Sequence, residues 1–178
     1  MGKSKWVLDT AHSQVDFSVK HMMISRVNGT FQRFSANIEA DPNDLTTADI
    51  EFSVEVDSID TRNTDRDNHL KSADFFNAEQ YPNITFKATE ITRKDDSSYH
   101  VTGDLTIRGV TRKETFVAEF EGLAKDPLSG NEKAGFTVTG TINRKDYGLV
   151  WNVALETGGV LVGEEVKITV HIEAARAE

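Results

Sequence analysis

Ten residues from Ala48 to Asp57, Ala-Asp-Ile-Glu-Phe-Ser-Val-Glu-Val-Asp, alternate apolar and polar side chains without a break. Side chains along a strand point to opposite sides with period two. Ala48, Ile50, Phe52, Val54 and Val56 therefore share one face, and Asp49, Glu51, Ser53, Glu55 and Asp57 share the other. A segment of this kind is a strand with one wet face. The pattern returns at residues 14–20, 34–40, 84–88, 99–107, 115–120, 136–142 and 166–174, which makes about eight strands.

The breaks between these segments carry turn residues: Asp41-Pro42-Asn43-Asp44, Asp95-Asp96-Ser97-Ser98, Gly109-Val110-Thr111 and the stretch from Asp126 to Asn131. Asn28-Gly29 reads as a further turn or bulge. All three prolines fall outside the strands, and no composition shift marks a second domain. Short strands at regular spacing build a sandwich or a barrel. One segment, 61–81, loses the alternation. There Thr64-Asp65-Arg66-Asp67 has the form of a capping box and predicts a short helix. Phe75 and Phe76 follow, placed either to cover an open barrel end or to plug the core.

At 178 residues the chain can bury roughly 70% of its unfolded surface as one domain. With no cysteine, disulfides, thiolate nucleophiles and cysteine-ligated metals are excluded. A net charge of −9, with basic residues scattered among acidic ones, argues against nucleic acid and against docking on anionic lipid heads. No apolar run approaches membrane-spanning length, so no stable membrane insertion is expected. Without an apolar h-region near its start, the chain as given is expected in the cytoplasm, or in the periplasm or outside the cell if a signal has been trimmed.

Motifs for chemistry are weak. His12, His21, His69, His100 and His171 are too dispersed for a zinc spacing, and no metal site or cofactor is expected. The run from Asp65 to His69 opens like a calcium loop, but Leu70 and Phe76 stand where Gly and Glu are required. No Gly-x-Ser-x-Gly elbow, P-loop or dinucleotide fingerprint is present, so no catalytic residues are assigned. The polar run from Asn143 to Gly148 abuts a strand end. Arg144 there could pair with Asp146 at a barrel rim or meet the phosphate or carboxylate of a ligand head group.

Taken in order, Trp6-x-Leu8-Asp9-x-x-His12-Ser13, Phe17, His21-Met22, Gly29-x-Phe31, Ser58-Ile59-x-Thr61-x-Asn63-x-x-Arg66-Asp67-x-His69-Leu70 and Asp74-Phe75-Phe76 resemble the YceI family of small bacterial lipid-binding proteins. Tyr81-Pro82-x-Ile84-Thr85-Phe86, Gly103-x-Leu105-Thr106-Ile107-x-Gly109-Val110-Thr111, Asn143-Arg144-x-Asp146-Tyr147-Gly148 and Val160-Leu161-Val162-Gly163 continue the resemblance. It implies an all-β domain spanning 1–178, an extended eight-stranded antiparallel β-barrel, lipocalin-like in shape, with a short helix between strands. The lipocalins' own Gly-x-Trp start is absent. The implied function is non-enzymatic binding, storage or transport of a long polyisoprenoid or similar amphiphilic lipid in the lumen.

The apolar faces supply the expected lining: Phe17, Val19, Phe34, Ile38, Phe52, Val54, Phe86, Leu105, Ile107, Phe116, Phe136, Val138, Ile168 and Val170, with Arg144 as the head-group candidate. The expected partner is a small-molecule lipid, and open barrel edges, which commonly meet in symmetric pairs, leave a homodimer open. Two rival readings are a lipid hydrolase or isomerase using His12, His21 or His69, and a ligand-free structural or stress-interaction module.

Overall fold

A computed structural model describes residues 3–156 and 158–177. Its strands are β1 (Ser4–Leu8), β2 (Gln14–His21), β3 (Ser25–Phe31), β4 (Phe34–Asp41), β5 (Asp44–Glu55), β6 (Ile59–Asp60), β7 (Asn83–Arg93), β8 (Ser98–Ile107), β9 (Val110–Lys125), β10 (Glu132–Asn143) and β11 (Val162–Arg176). One α-helix, α1, spans Thr64–Lys71.

These segments form eight rows, because three rows are interrupted strands. β1 and β2 follow one line, broken by the 3-10 turn Thr10–His12; β3 and β4 are separated only by Gln32 and Arg33; β5 and β6 are split by the 3-10 turn Val56–Ser58. Every pairing is antiparallel, and the sheet closes on itself at β11. That strand pairs with β1 at its C-terminal end (Trp6↔Arg176) and with β2 along the rest (Val170↔Val15). Closure leaves no long edge to be capped.

The expected strands each occupy a different row, and β1, β3 and β6 complete three of them. β1 escapes the alternation because Val7 points outward and is half exposed. β3 is masked by its glycine. Asn28-Gly29 is no turn: Gly29 sits inside β3 opposite Phe17, and the chain reverses at Met22 and Met23, both at positive φ.

α1 forms as expected, one residue out of phase. Asn63 is its N-cap, with Oδ1 accepting from the Arg66 N–H at 3.0 Å. Asp67 turns back instead to Thr61, accepting from its N–H and its hydroxyl. Thr61 is buried and also receives the Arg66 guanidinium, so this knot fixes the helix against the end of β6. Leu70, Phe75 and Phe76 then pack into the barrel end, covering it and plugging it at once.

Candidate functional site

The inner face of the barrel is apolar because each strand sends alternate side chains inward. Trp6, Ala40, Leu45, Ile91, Tyr99 and Ala134 gather at one end. Phe75, Leu105, Ile107, Ile142, Tyr147 and Leu149 gather at the other, and Val15, Phe31, Val54 and Ile59 line the wall beside the helix. Phe86 and Val138 touch both end clusters and mark the waist between them. The clusters do not meet as one solid core. They enclose a cavity of about 310 Å³ that runs from Trp6 and Pro42 to Phe75 and Leu149.

Three phenyl rings lie against glycines on this inner wall. A Cβ placed on Gly29 would stand 2.3 Å from Phe17 Cζ, one on Gly140 2.2 Å from Phe116 Cδ1, and one on Gly103 2.7 Å from Phe86 Cζ. The missing side chains let the rings lie close to the sheet rather than across the bore. Phe86 and Phe116 meet edge to face at 5.3 Å.

All of the expected lining residues but one border the cavity: Phe17, Val19, Ile38, Phe52, Val54, Phe86, Leu105, Ile107, Phe116, Phe136, Val138, Ile168 and Val170. Phe34 does not. It opens β4 just past a row break, stacks on Phe52 at 5.9 Å, and borders an outer recess with Arg33, Ser53, Glu55 and Pro82. The lining also contains Trp6, Tyr99, Phe120 and Ile50, which lie outside the expected set. Ile50 is legible in the sequence, since it shares a face with Phe52. Trp6 is not, because no alternation marks its strand.

Arg144 borders the cavity, with its guanidinium bonded to backbone carbonyls. Its side chain is 4% exposed, and its Nε donates to the Gly163 carbonyl at 2.7 Å, its Nη1 to Leu149 and its Nη2 to Val162 at 3.2 Å. No ion pair with Asp146 forms among the described residues. Burial pushes the guanidinium's pKa below its ordinary value, with Glu164 opposing. Next to it, Tyr147 is fully buried and donates its hydroxyl to Glu114; burial first, and then that carboxylate, hold the phenol protonated well beyond its ordinary range.

No histidine borders the cavity among the described residues. His69 lies over the plugged end, 2.9 Å from Asp74 and edge-on to Phe75 and Trp151. His12 belongs to a polar cluster on the closing seam that no local spacing reveals, because Glu173 and Lys133 come from the far end of the chain. His12 Nδ1 lies 2.9 Å from Asp9 Oδ2, and the Lys133 ammonium donates to Asp9 at 3.0 Å and to Glu173 at 3.1 Å, with Asp126 at 3.5 Å. Asp9, His12 and Glu173 offer three metal-ligand atoms within 4.8 Å of one another, but the ammonium already bonds both carboxylates.

This seam has a pH signature. The bonds from His12 and Lys133 hold the Asp9 carboxyl well below its ordinary range, and the bond to Asp9 raises His12. Asp9's contribution to stability is present above about pH 4 and is lost as pH falls from there toward its depressed value. His12's contribution is complete below about pH 6.5 and is lost as pH rises through its raised value. The urea midpoint is therefore expected to fall as pH is raised from about 6 to about 8, and His12→Gln to flatten that slope. An equal slope in the variant would assign the dependence to another group.

A lumen framed in this way has known counterparts. The YceI-like domain family matches residues 6–174. A UPF0312 protein of Staphylococcus epidermidis is 46% identical over 170 residues, covering 96% of each chain. The crystal structure of the Campylobacter jejuni YceI protein superposes with a TM-score of 0.76 at 33% identity, covering 89% of this chain and 90% of that one. A polyisoprenoid binding domain from Saccharophagus degradans shares the fold, at a TM-score of 0.68 and 13% identity, over 98% of this chain and 99% of that one. With a family match across nearly its whole length and the barrel those relatives adopt, the chain belongs to the YceI family.

Proposed function

We propose that this protein binds a long-chain polyisoprenoid or similar amphiphilic lipid, stores or carries it without chemical turnover, and holds its tail in the barrel lumen. The continuous apolar cavity from Trp6 to Phe75 is the observation that carries this reading. Family membership and the polyisoprenoid-binding character of the S. degradans domain support it.

Burial of the tail supplies the driving force. Each buried methylene is worth about 0.8 kcal/mol, so ten buried carbons supply about 8 kcal/mol against an association cost of about 4 to 15 kcal/mol. Arg144 borders the cavity but already donates to three backbone carbonyls, so the polar head stays where water solvates it.

Mass spectrometry of an organic extract of protein purified without detergent tests the proposal. A long isoprenoid or fatty chain is expected in a near-stoichiometric amount. An empty extract, together with failure of the protein to take up an added long-chain polyprenol, would overturn it. Recovery of a shortened or hydrolysed product after incubation with an isoprenoid ester would instead favour an enzyme.

A further inference from the structure

The hairpin tip between β2 and β3 shows solvent a group of side chains that a self-contained barrel has no reason to expose. Ile24 is 84% exposed, and Met22 and Met23 are about half exposed. Beside them lies the segment following β10, where Val150 and Val153 are also about half exposed. The two loops touch: the Met22 N–H donates to the Leu161 carbonyl at 2.8 Å, and Gly159 faces the Met23 side chain. The Leu161 N–H donates in turn to the Val153 carbonyl, so both loops present apolar side chains at the same end of the barrel.

The charge around these loops is unlike that of the whole chain. From Phe17 to Ile38 the sequence carries Lys20, Arg26 and Arg33 and no acid, and from Tyr147 to Leu155 it carries no charge at all, with Glu156 following. Lys20 and Arg26 are direct partners across the β2–β3 ladder, and both are exposed. Like charges placed opposite each other weaken a strand pair. Neither makes an ion pair among the described residues, although Arg26 donates to Ser18; on the adjoining start of β11, Glu164 is paired with Lys145, Glu165 stands opposite Asn143, and Lys167 adds a cation opposite Ser18. Two unneutralised cations behind an apolar tip suit a surface with anionic heads above and hydrocarbon below.

We propose that the Met22-Met23-Ile24 tip, with Val150 and Val153 beside it and Lys20 and Arg26 behind it, docks reversibly on an anionic lipid bilayer. The net charge of −9 argues against such docking for the chain as a whole, but an interface responds to the charge within a Debye length of it. The position has a purpose if the lumen carries lipid, and only that purpose rests on the proposed function. Val19 and Val162 border the cavity directly behind the tip, and Val162 pairs with His21. Docking therefore sets the end of the barrel plugged by Phe75 and Leu149 against the membrane.

Sedimentation of the protein with phosphatidylcholine vesicles, with and without about one-third phosphatidylglycerol, reads this directly. Binding to the anionic vesicles is expected, and should weaken about tenfold between about 0.05 and 0.5 M salt. Each cation near such a surface is worth about fivefold, so the double variant Lys20→Glu, Arg26→Glu should bind at least tenfold more weakly. Ile24→Asp should also lose at least tenfold, and its exposure means that the fold tolerates it. Leu128→Asp is the control: Leu128 is 96% exposed, on the β9–β10 turn at the opposite end. Its binding should match wild type. Absence of binding to anionic vesicles, or wild-type binding by Ile24→Asp and by the double variant, would overturn the proposal. Self-association abolished by Ile24→Asp, without vesicle binding, would assign the surface to a second copy of the chain and overturn it as well. Lipid extraction is read on the same preparations, so failure to dock and failure to carry lipid are separate results.

Discussion

Arg144→Ala is expected to destabilise the barrel by about 3 to 5 kcal/mol, a large fraction of the stability of a domain this size. The guanidinium is the shared donor for the carbonyls of Leu149, Val162 and Gly163. Removing it takes this donor from the carbonyls of Leu149 and Gly163 and leaves Val162 with Asn152 alone, in a site where the residue was 4% exposed, and each unsatisfied group costs about 1 to 3 kcal/mol. Leu149 opens the loop that these bonds tie to the start of β11 at Val162 and Gly163. Between the 3-10 turn Arg144–Tyr147 and β11, the ladder contacts among the described residues reduce to the bridge Ala154↔Val160, with Asn152 bonding both the N–H and the carbonyl of Val162. Arg144→Lys should recover less than half of the loss, because an ammonium is a point donor and cannot hold three carbonyls in a fork. Urea midpoints of the two variants decide it: a loss under about 1 kcal/mol in Arg144→Ala would show that water satisfies the carbonyls and that the fork is dispensable.

Val138→Asp is expected to weaken binding of a long polyprenol at least about 100-fold while leaving the empty barrel folded. Val138 sits at the waist, in contact with both end clusters, and is only half buried because it faces the cavity. In the empty state, lumen water can solvate a carboxylate there. A tail passing the waist must strip that water, and about 2.7 kcal/mol of desolvation is enough for 100-fold. Thr139→Asp is the matched control, one residue along on the exposed outer face, and should bind as wild type does. Equal affinity in Val138→Asp and Thr139→Asp, with both folded, would place the ligand elsewhere.

The barrel is legible in the chain because half-buried antiparallel strands write their two faces into the sequence at period two. That is why the alternation alone assigns residues such as Phe52, Val138 and Ile168 inward, and why each expected strand falls in its own row. The failures have one physical source: local pattern cannot see what lies across the sheet. Gly29 reads as a turn because glycine usually relieves backbone strain, but here it clears space for Phe17 on the neighbouring strand. Arg144 reads as a partner of Asp146 or of a ligand head group because a guanidinium matches carboxylate and phosphate acceptors. Its acceptors are the carbonyl of Leu149 and those of Val162 and Gly163 at the start of β11, brought to it only by the fold. The seam of Asp9, His12, Lys133 and Glu173 is assembled only when the first and last strands close the ring.

The glycine seats give the lumen a calibre that can be reset without rebuilding the wall. A methyl at position 29 would press on the free end of the Phe17 ring, which can yield by tipping inward, so the bore narrows at one point while the strand stays in register. The seat at Gly103 has no such freedom. A methyl there would stand 2.3 Å from the Lys87 carbonyl oxygen and 2.8 Å from the Ala88 Cα, and the backbone cannot swing aside as a ring can. The wall thus divides into hinged panels and fixed ones. Divergence toward thinner or shorter guests can proceed through the panel at Phe17, whereas Gly103 is held in place by the geometry of the sheet whatever the guest.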